Sequence, residues 1–224
     1  MHISDGILDP LWLLVWWTIA VVFVAIGVFQ IRKKLKTDPS YLPLLALMGA
    51  AVLVISAWHI PVPVTGSCSH PVGTPLAAIL LGPFPTVVIT SLVLFLQLFV
   101  GHGGLTTIGA NAVSMGVVGA FSGWFTFIAL RRANVGVFWA AGTAGAVGDA
   151  LTYATAAFEL AASLHPGAVL QYWFLYGIGF APTQVPLVAI EFIFTGVAIR
   201  YITDLRPEMI KANAYLRGRR EHDG

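Results

Sequence analysis

The chain has 224 residues, of which 58% are hydrophobic and 10% charged, with a formal net charge of +2. Soluble domains carry about a quarter charged residues, so this composition excludes a water-covered globule, fits one polytopic membrane domain over 1–224 and calls for no nucleic-acid partner. The apolar runs are continuous and rich in Leu, Val, Ala and Phe rather than alternating over ~10 residues, which excludes a transmembrane barrel and predicts an all-α integral membrane protein.

The N-terminal segment 1–8 opens with Met1 and His2 in "MHISDG". Residues 1–10 hold Asp5 and Asp9 but no Lys or Arg, so a cleavable signal peptide is not expected. The bulky His2 also disfavours removal of the initiator methionine, so these residues are expected to be those of the working protein. The first span, near "LWLLVWWTIAVVFVAIGVFQI", ends at Arg32, Lys33, Lys34 and Lys36. Trp12, Trp16 and Trp17 mark its opposite, interfacial end.

All other Lys and Arg fall in two clusters, Arg131 with Arg132, and Arg200 through Arg220. The positive-inside rule places all three clusters in the cytoplasm. The N-terminus is then outside, and residues 37–130 must cross an even number of times. "YLPLLALMGAAVLVISAW" is one crossing, and about 107–130 is another. Between them, Gly82-Pro83 and Pro85 predict a turn between a short descending helix and a full ascending one. Segments of about 136–160 and 171–199 supply two more crossings. The expectation is seven transmembrane helices, N-terminus out and C-terminus in, with outer loops about 59–74 and 101–107 and a cytoplasmic tail about 203–224.

This topology puts His2, His59, His70, His102 and His165 on the outer side and leaves only His222 in the cytoplasm. Any one of these is more ordinarily an interfacial hydrogen-bonding residue than a ligand. In combination they suggest a metal. The Met1 amine, the His2 amide nitrogen and the His2 imidazole close fused chelate rings, an all-nitrogen set suited to Ni(II) or Cu(II) and acceptable to Co(II). His70, in the outer loop "VPVTGSCSHPVGTP", is the fourth donor best placed by topology. Cys68 is either a soft ligand or, as a single Cys more often is, a packed neutral side chain. His102 in "GHGGLTTIGAN" is a loop anchor, a transient contact for an arriving ion, or a surface residue. Asn111 and Ser114 either hydrogen-bond a ligating imidazole or serve the helix end. Ser69 joins His102 and Asn111 as a candidate for supporting the ligands or touching the ion on its way in.

Asp149 and Glu191 lie inside spans, where carboxylates are costly and suggest function. They support a rival reading, a proton-coupled secondary transporter. Around Asp149, Gly142-x-x-x-Ala146 and Ala141-x-x-x-Gly145 make a small-residue face, for internal packing or a partner helix. An intramembrane metallohydrolase would need a His-Glu-x-x-His motif or its equivalent, and the chain has none.

"MHISDG", "VTGSCSHPVGTPLAAILLGP" and "GHGGLTTIGANAVSMGVVG", in that order, together resemble the CbiM/NikM family. The resemblance extends to "APTQVPLVAIEF" and implies the substrate-binding membrane component of energy-coupling-factor importers for cobalt and nickel. It implies a six-helix core plus an extra N-terminal helix. The metal ligands it implies are the Met1 amine, the backbone and imidazole nitrogens of His2, and His70. It further implies a transmembrane coupling subunit, a pair of ATPases and a small membrane accessory protein, since this chain carries no Walker A motif. The loop "GSCSHP" resembles the cobalt branch, so Co(II) feeding cobalamin biosynthesis is the expected cargo. Square-planar nitrogen coordination favours Ni(II) instead, which stays the alternative. No permanent cofactor and no enzymatic activity are expected, and the site of action is the prokaryotic cell membrane.

Overall fold

The computed structural model describes residues 2–58, 60–62, 67–206 and 209. Met1, His59, His222 and most of the tail lie outside them. Helix α1 (Pro10–Thr37) starts where Asp9, in extended conformation, accepts from the Leu11 amide, with Pro10 in the first turn. It ends on Lys34 and Lys36, cations that suit the negative end of the helix dipole. After a turn in which Asp38 accepts from the Ser40 amide, α2 (Tyr41–Ile55) returns. Lys34 Nζ lies 3.9 Å above the Tyr41 ring, and the Tyr41 hydroxyl donates to the Leu81 carbonyl, 3.1 Å away.

Strands β1 (Ile60–Val62) and β2 (Ser67–Ser69) pair antiparallel, with Pro61 opposite Cys68. This hairpin amends the all-α expectation. Each strand has three residues, too few for a readable alternation. The chain then enters α3 (Thr74–Leu81), breaks at Gly82 and continues as α4 (Pro83–Gln97) with a 3₁₀ turn over Leu98–Val100. The expected short-helix, turn, long-helix arrangement is therefore present. With eight residues, α3 is about 12 Å long and cannot by itself cross about 30 Å of hydrocarbon.

All eight residues of α3 are buried, and small residues make room for them. A Cβ on Gly148 would collide with the Pro75 ring, and one on Gly119 would stand 2.5 Å from Thr152 Oγ1 and 2.9 Å from Thr74 Oγ1. The next segment runs as α5 (Ile108–Asn111), an eight-residue π-helix (Ala112–Gly119) and α6 (Ala120–Arg132). α7 (Val137–Leu164) and α8 (Val169–Leu205) form an antiparallel pair. Gly142 and Gly145 face the backbone carbonyls of Phe192 and Glu191 on α8, so the small-residue face packs internally.

Among the described residues, four helices are long and apolar enough to cross a membrane: Pro10–Thr37, Pro83–Val100, Ile108–Arg132 and Val169–Leu205. Tyr41–Ile55 is a shorter apolar helix. Their exposed faces are lined with Leu, Val, Ile and Phe, as expected where lipid rather than water is the solvent. The protein is a multi-pass membrane protein, and helices occupy each of the seven segments read from the sequence.

Candidate metal centre

The segment ahead of α1 folds back into the end of the bundle where α4 gives way to α5. The Ile3 amide donates to Asn111 Oδ1 (2.9 Å), and its carbonyl accepts from Thr107 Oγ1 (2.6 Å) and Asn111 Nδ2 (3.3 Å). Asp5 accepts from the Leu105 and Thr106 amides at 3.0 and 2.8 Å. These bonds, the Thr106 hydroxyl's first, hold its carboxyl below the usual carboxylate range. The turn between α4 and α5 closes over this segment because Gly103 has φ +75° and a Cβ there would stand 3.2 Å from His2 Cδ2. The His2 carbonyl accepts from Ser67 Oγ, 3.0 Å away on β2.

His2 is thereby 2% exposed, and His70 and Cys68 1% each. His2 Nε2 lies 2.7 Å from Gln97 Oε1. The amide nitrogen of Gln97 donates to Ser56 Oγ at 2.9 Å, and Ser56 in turn donates to the Val52 carbonyl. This chain of bonds makes Gln97 Oε1 an acceptor, so His2 Nε2 carries the proton and Nδ1 the lone pair. On the other side, His70 Nδ1 lies 2.8 Å from the Pro71 carbonyl, which accepts only, so its lone pair is on Nε2. His70 Nε2 and His2 Nδ1 stand 3.1 Å apart. Burial, and the His2 imidazole beside it, hold the His70 pKa well below the ordinary imidazole value, so it is a neutral base at pH 7.

Two imidazole lone pairs facing each other in a buried site repel, and a cation held between them turns that repulsion into attraction. With metal–nitrogen bonds of about 2.0–2.1 Å, a separation of 3.1 Å corresponds to an N–metal–N angle of about 95–100°. That is the angle of adjacent ligands in a square or slightly opened site. Cys68 Sγ is 3.3 Å from His2 Nδ1, and the donor atoms of His2, Cys68 and His70 all lie within 4.8 Å of one another. Burial pushes the Cys68 thiol pKa up, and the side chain is packed inside the cluster, where it stands with His2 and His70 as a group able to hold a metal.

The remaining candidates make contacts of their own. The His102 ring centroid is 5.7 Å from that of His2, and its backbone amide donates to the Gln97 carbonyl. Asn111 holds the Ile3 backbone rather than an imidazole, because the helix end faces the chain beside His2 and not its ring. Ser114 donates to the Ala110 carbonyl at 3.0 Å, a bond within its own helix. Ser69 bonds Thr183 Oγ1 at 2.7 Å. His165 is stacked on Tyr172, centroids 3.4 Å apart, and lies 3.2 Å from the Tyr176 hydroxyl, the interfacial role ordinary for such a residue. The sequence reading missed Gln97, the direct partner of the His2 ring, and Glu159, a fully buried carboxylate on α7. Helical periodicity within α4 puts Gln97 on the buried side with Val93 and Leu94, which is the signal that singles it out.

A family model described as "Cobalt uptake substrate-specific transmembrane region" matches residues 2–209. The "Cobalt transport protein CbiM" of Geobacter sulfurreducens is 43% identical over 212 residues, which are 94% of this chain and 61% of that protein. The protein of the same name from Sorangium cellulosum is 42% identical over 212 residues, 94% of each chain. A solved chain described as a transition metal transporter superposes with a TM-score of 0.82 over 97% of this chain and 100% of its own, at 24% identity, a likeness of fold. A match over nearly the whole chain, together with relatives above 40% identity, settles the lineage: the chain belongs to the CbiM family.

Proposed function

We propose that this chain is the substrate-specific component of an ATP-driven cobalt(II) uptake transporter, capturing the ion with the Met1 amine, the backbone and imidazole nitrogens of His2, and His70. The observation that carries the reading is the 3.1 Å approach of His2 Nδ1 to His70 Nε2, each with its other ring nitrogen committed to an acceptor. Met1 lies outside the described residues; its place next to the buried His2 supports including it. The relatives named for cobalt transport support the cargo. An opening near 95–100° also suits the square geometry of Ni(II), so nickel is the second reading and is separated by competition.

The basic ends of α1 and α6 and Arg200 near the end of α8 support a seven-span, single-domain topology, N-terminus out, with the cluster on the outer face. Energy then comes from partners, namely a membrane coupling subunit, ATPases and a small accessory membrane protein, with the ion destined for cobalamin synthesis in a prokaryote. The donors replace water around the ion, which makes desolvation tolerable.

The test is insertion of one alanine between Met1 and His2. It keeps every side chain and destroys the fused chelate. The purified full chain should bind about one Co(II), with Ni(II) competing, and the extended variant should lose tight binding. Wild-type affinity in the extended variant would refute the amino-terminal site. Uptake in cells that survives loss of the ATPase partners, and collapses on neutralising either Asp149 or Glu191, would favour the proton-coupled alternative.

A further inference from the structure

His70 projects from the tetrapeptide His70-Pro71-Val72-Gly73, which joins β2 to α3, and that tetrapeptide is gripped at both ends from the far helix pair. At its start, one hydroxyl satisfies the whole backbone of His70. Tyr153 on α7 accepts from the His70 amide at 2.8 Å and donates to the His70 carbonyl at 3.0 Å. At its end, the Gly73 amide donates to Glu191 Oε1 on α8 at 3.0 Å. Between these points little freedom is left. Pro71 confines His70 to extended conformations, the Pro71 carbonyl accepts from the His70 ring, and Gly73 has φ +66° with Ile55 3.1 Å from where its Cβ would be. Tyr153 and Glu191 are 3% and 0% exposed. Asp149, one turn from Tyr153 on α7, lies within electrostatic reach of both.

A glutamate buried at membrane depth is costly, and a single backbone hydrogen bond contributes only about 1 kcal/mol to folding. Stability alone is a weak reason to place one there. Placement is a better one. The direction of His70 Nε2 is set by a tetrapeptide whose two ends are fixed by side chains from α7 and α8, while the His2 ring is held by Gln97 and the backbone beside it, at Ile3, by Asn111 and Thr107. We propose that Tyr153 and Glu191 are positioning residues that aim His70 at the ion. Glu191 acts as a hydrogen-bond acceptor for Gly73, not as a carrier of charge or protons. This rests on the metal-site reading above.

The experiment titrates Co(II) into purified full-length variants and records the visible ligand-field spectrum at saturation, with the melting temperature of each metal-free variant alongside. Removing the partner behind a ligand typically costs 10–100-fold in affinity. Tyr153→Phe and Glu191→Leu should each weaken binding about that much and shift the ligand-field bands. Glu191→Gln, which keeps an acceptor oxygen, should restore wild-type affinity and spectrum. Wild-type affinity and bands in both Tyr153→Phe and Glu191→Leu, whatever their melting temperatures, overturn the proposal. So does a Glu191→Gln protein as impaired as Glu191→Leu, since the charge and not the acceptor would then matter. If Glu191→Leu does not fold, Tyr153→Phe decides alone, its ring keeping the edge contact with Phe180 at 5.3 Å. His70→Ala separates the two levels. Tight binding without His70 fails the metal site itself, whereas loss in His70→Ala with wild-type Tyr153→Phe fails only the positioning.

Discussion

At the residue scale, the chemistry turns on which nitrogen of each imidazole holds its proton. His2 and His70 stood out in the sequence as candidates because imidazoles in an N-terminal polar segment and in a loop between apolar runs carry recognisable ligand chemistry. Gln97 did not, since a carboxamide in an apolar helix has no signature until the fold brings it 2.7 Å from a ring 95 residues earlier. Gln97→Leu leaves His2 Nε2 without its acceptor and frees the tautomer. Cobalt affinity, read by titration, should fall about 10–100-fold. Cys68→Ala should change it only a few-fold, because the four nitrogens of the proposed set complete a square without sulfur. His70 adds a pH dependence. Its folded pKa is lowered, so its contribution to stability is complete above the unfolded value of about 6.5 and declines as pH falls from there through the folded value. The metal-free protein should melt at progressively lower temperature below pH ~6.5, and His70→Gln should flatten that slope.

At the element scale, the short α3 and the loop before it carry His70 to the cluster. The Gly82-Pro83 break was legible because proline and glycine end helices by backbone sterics. The burial of α3 was not, since its depth depends on Gly119 and Gly148 leaving space for Thr74 and Pro75 from elsewhere in the chain. Nor was the π-helix of Ala112–Gly119, because one extra residue per turn in an apolar run leaves the hydrophobic pattern nearly intact. Gly73 is where local conformation meets the site. Gly73→Ala forces a Cβ into a left-handed residue, costing about 1–2 kcal/mol, and pushes it against Ile55. Thermal unfolding of the metal-free protein should register that loss, and cobalt affinity should fall with it because His70 lies three residues earlier.

On the scale of the whole molecule, the two imidazoles are held mainly from different helices. The His2 ring is tied to the end of α4 and its neighbour Ile3 to α5, while the His70 segment is tied to α7 and α8, so a bound ion would add a further link between them. Cross-linking makes binding report as stability, with a gain of about 2.7 kcal/mol at metal concentrations 100-fold above Kd. The melting temperature should therefore climb with the logarithm of cobalt concentration in the wild type and stay flat in His2→Ala. The helical segments were legible because a membrane imposes length and apolar composition on the sequence. The meeting of His2 with His70 was an inference from topology until tertiary contacts placed them together. The most direct measurement is calorimetric titration of Co(II) into purified wild-type and His70→Ala protein. One ion bound tightly by the wild type, with affinity lost at least ~100-fold in His70→Ala, is the predicted result; equal affinity in the two proteins would contradict it.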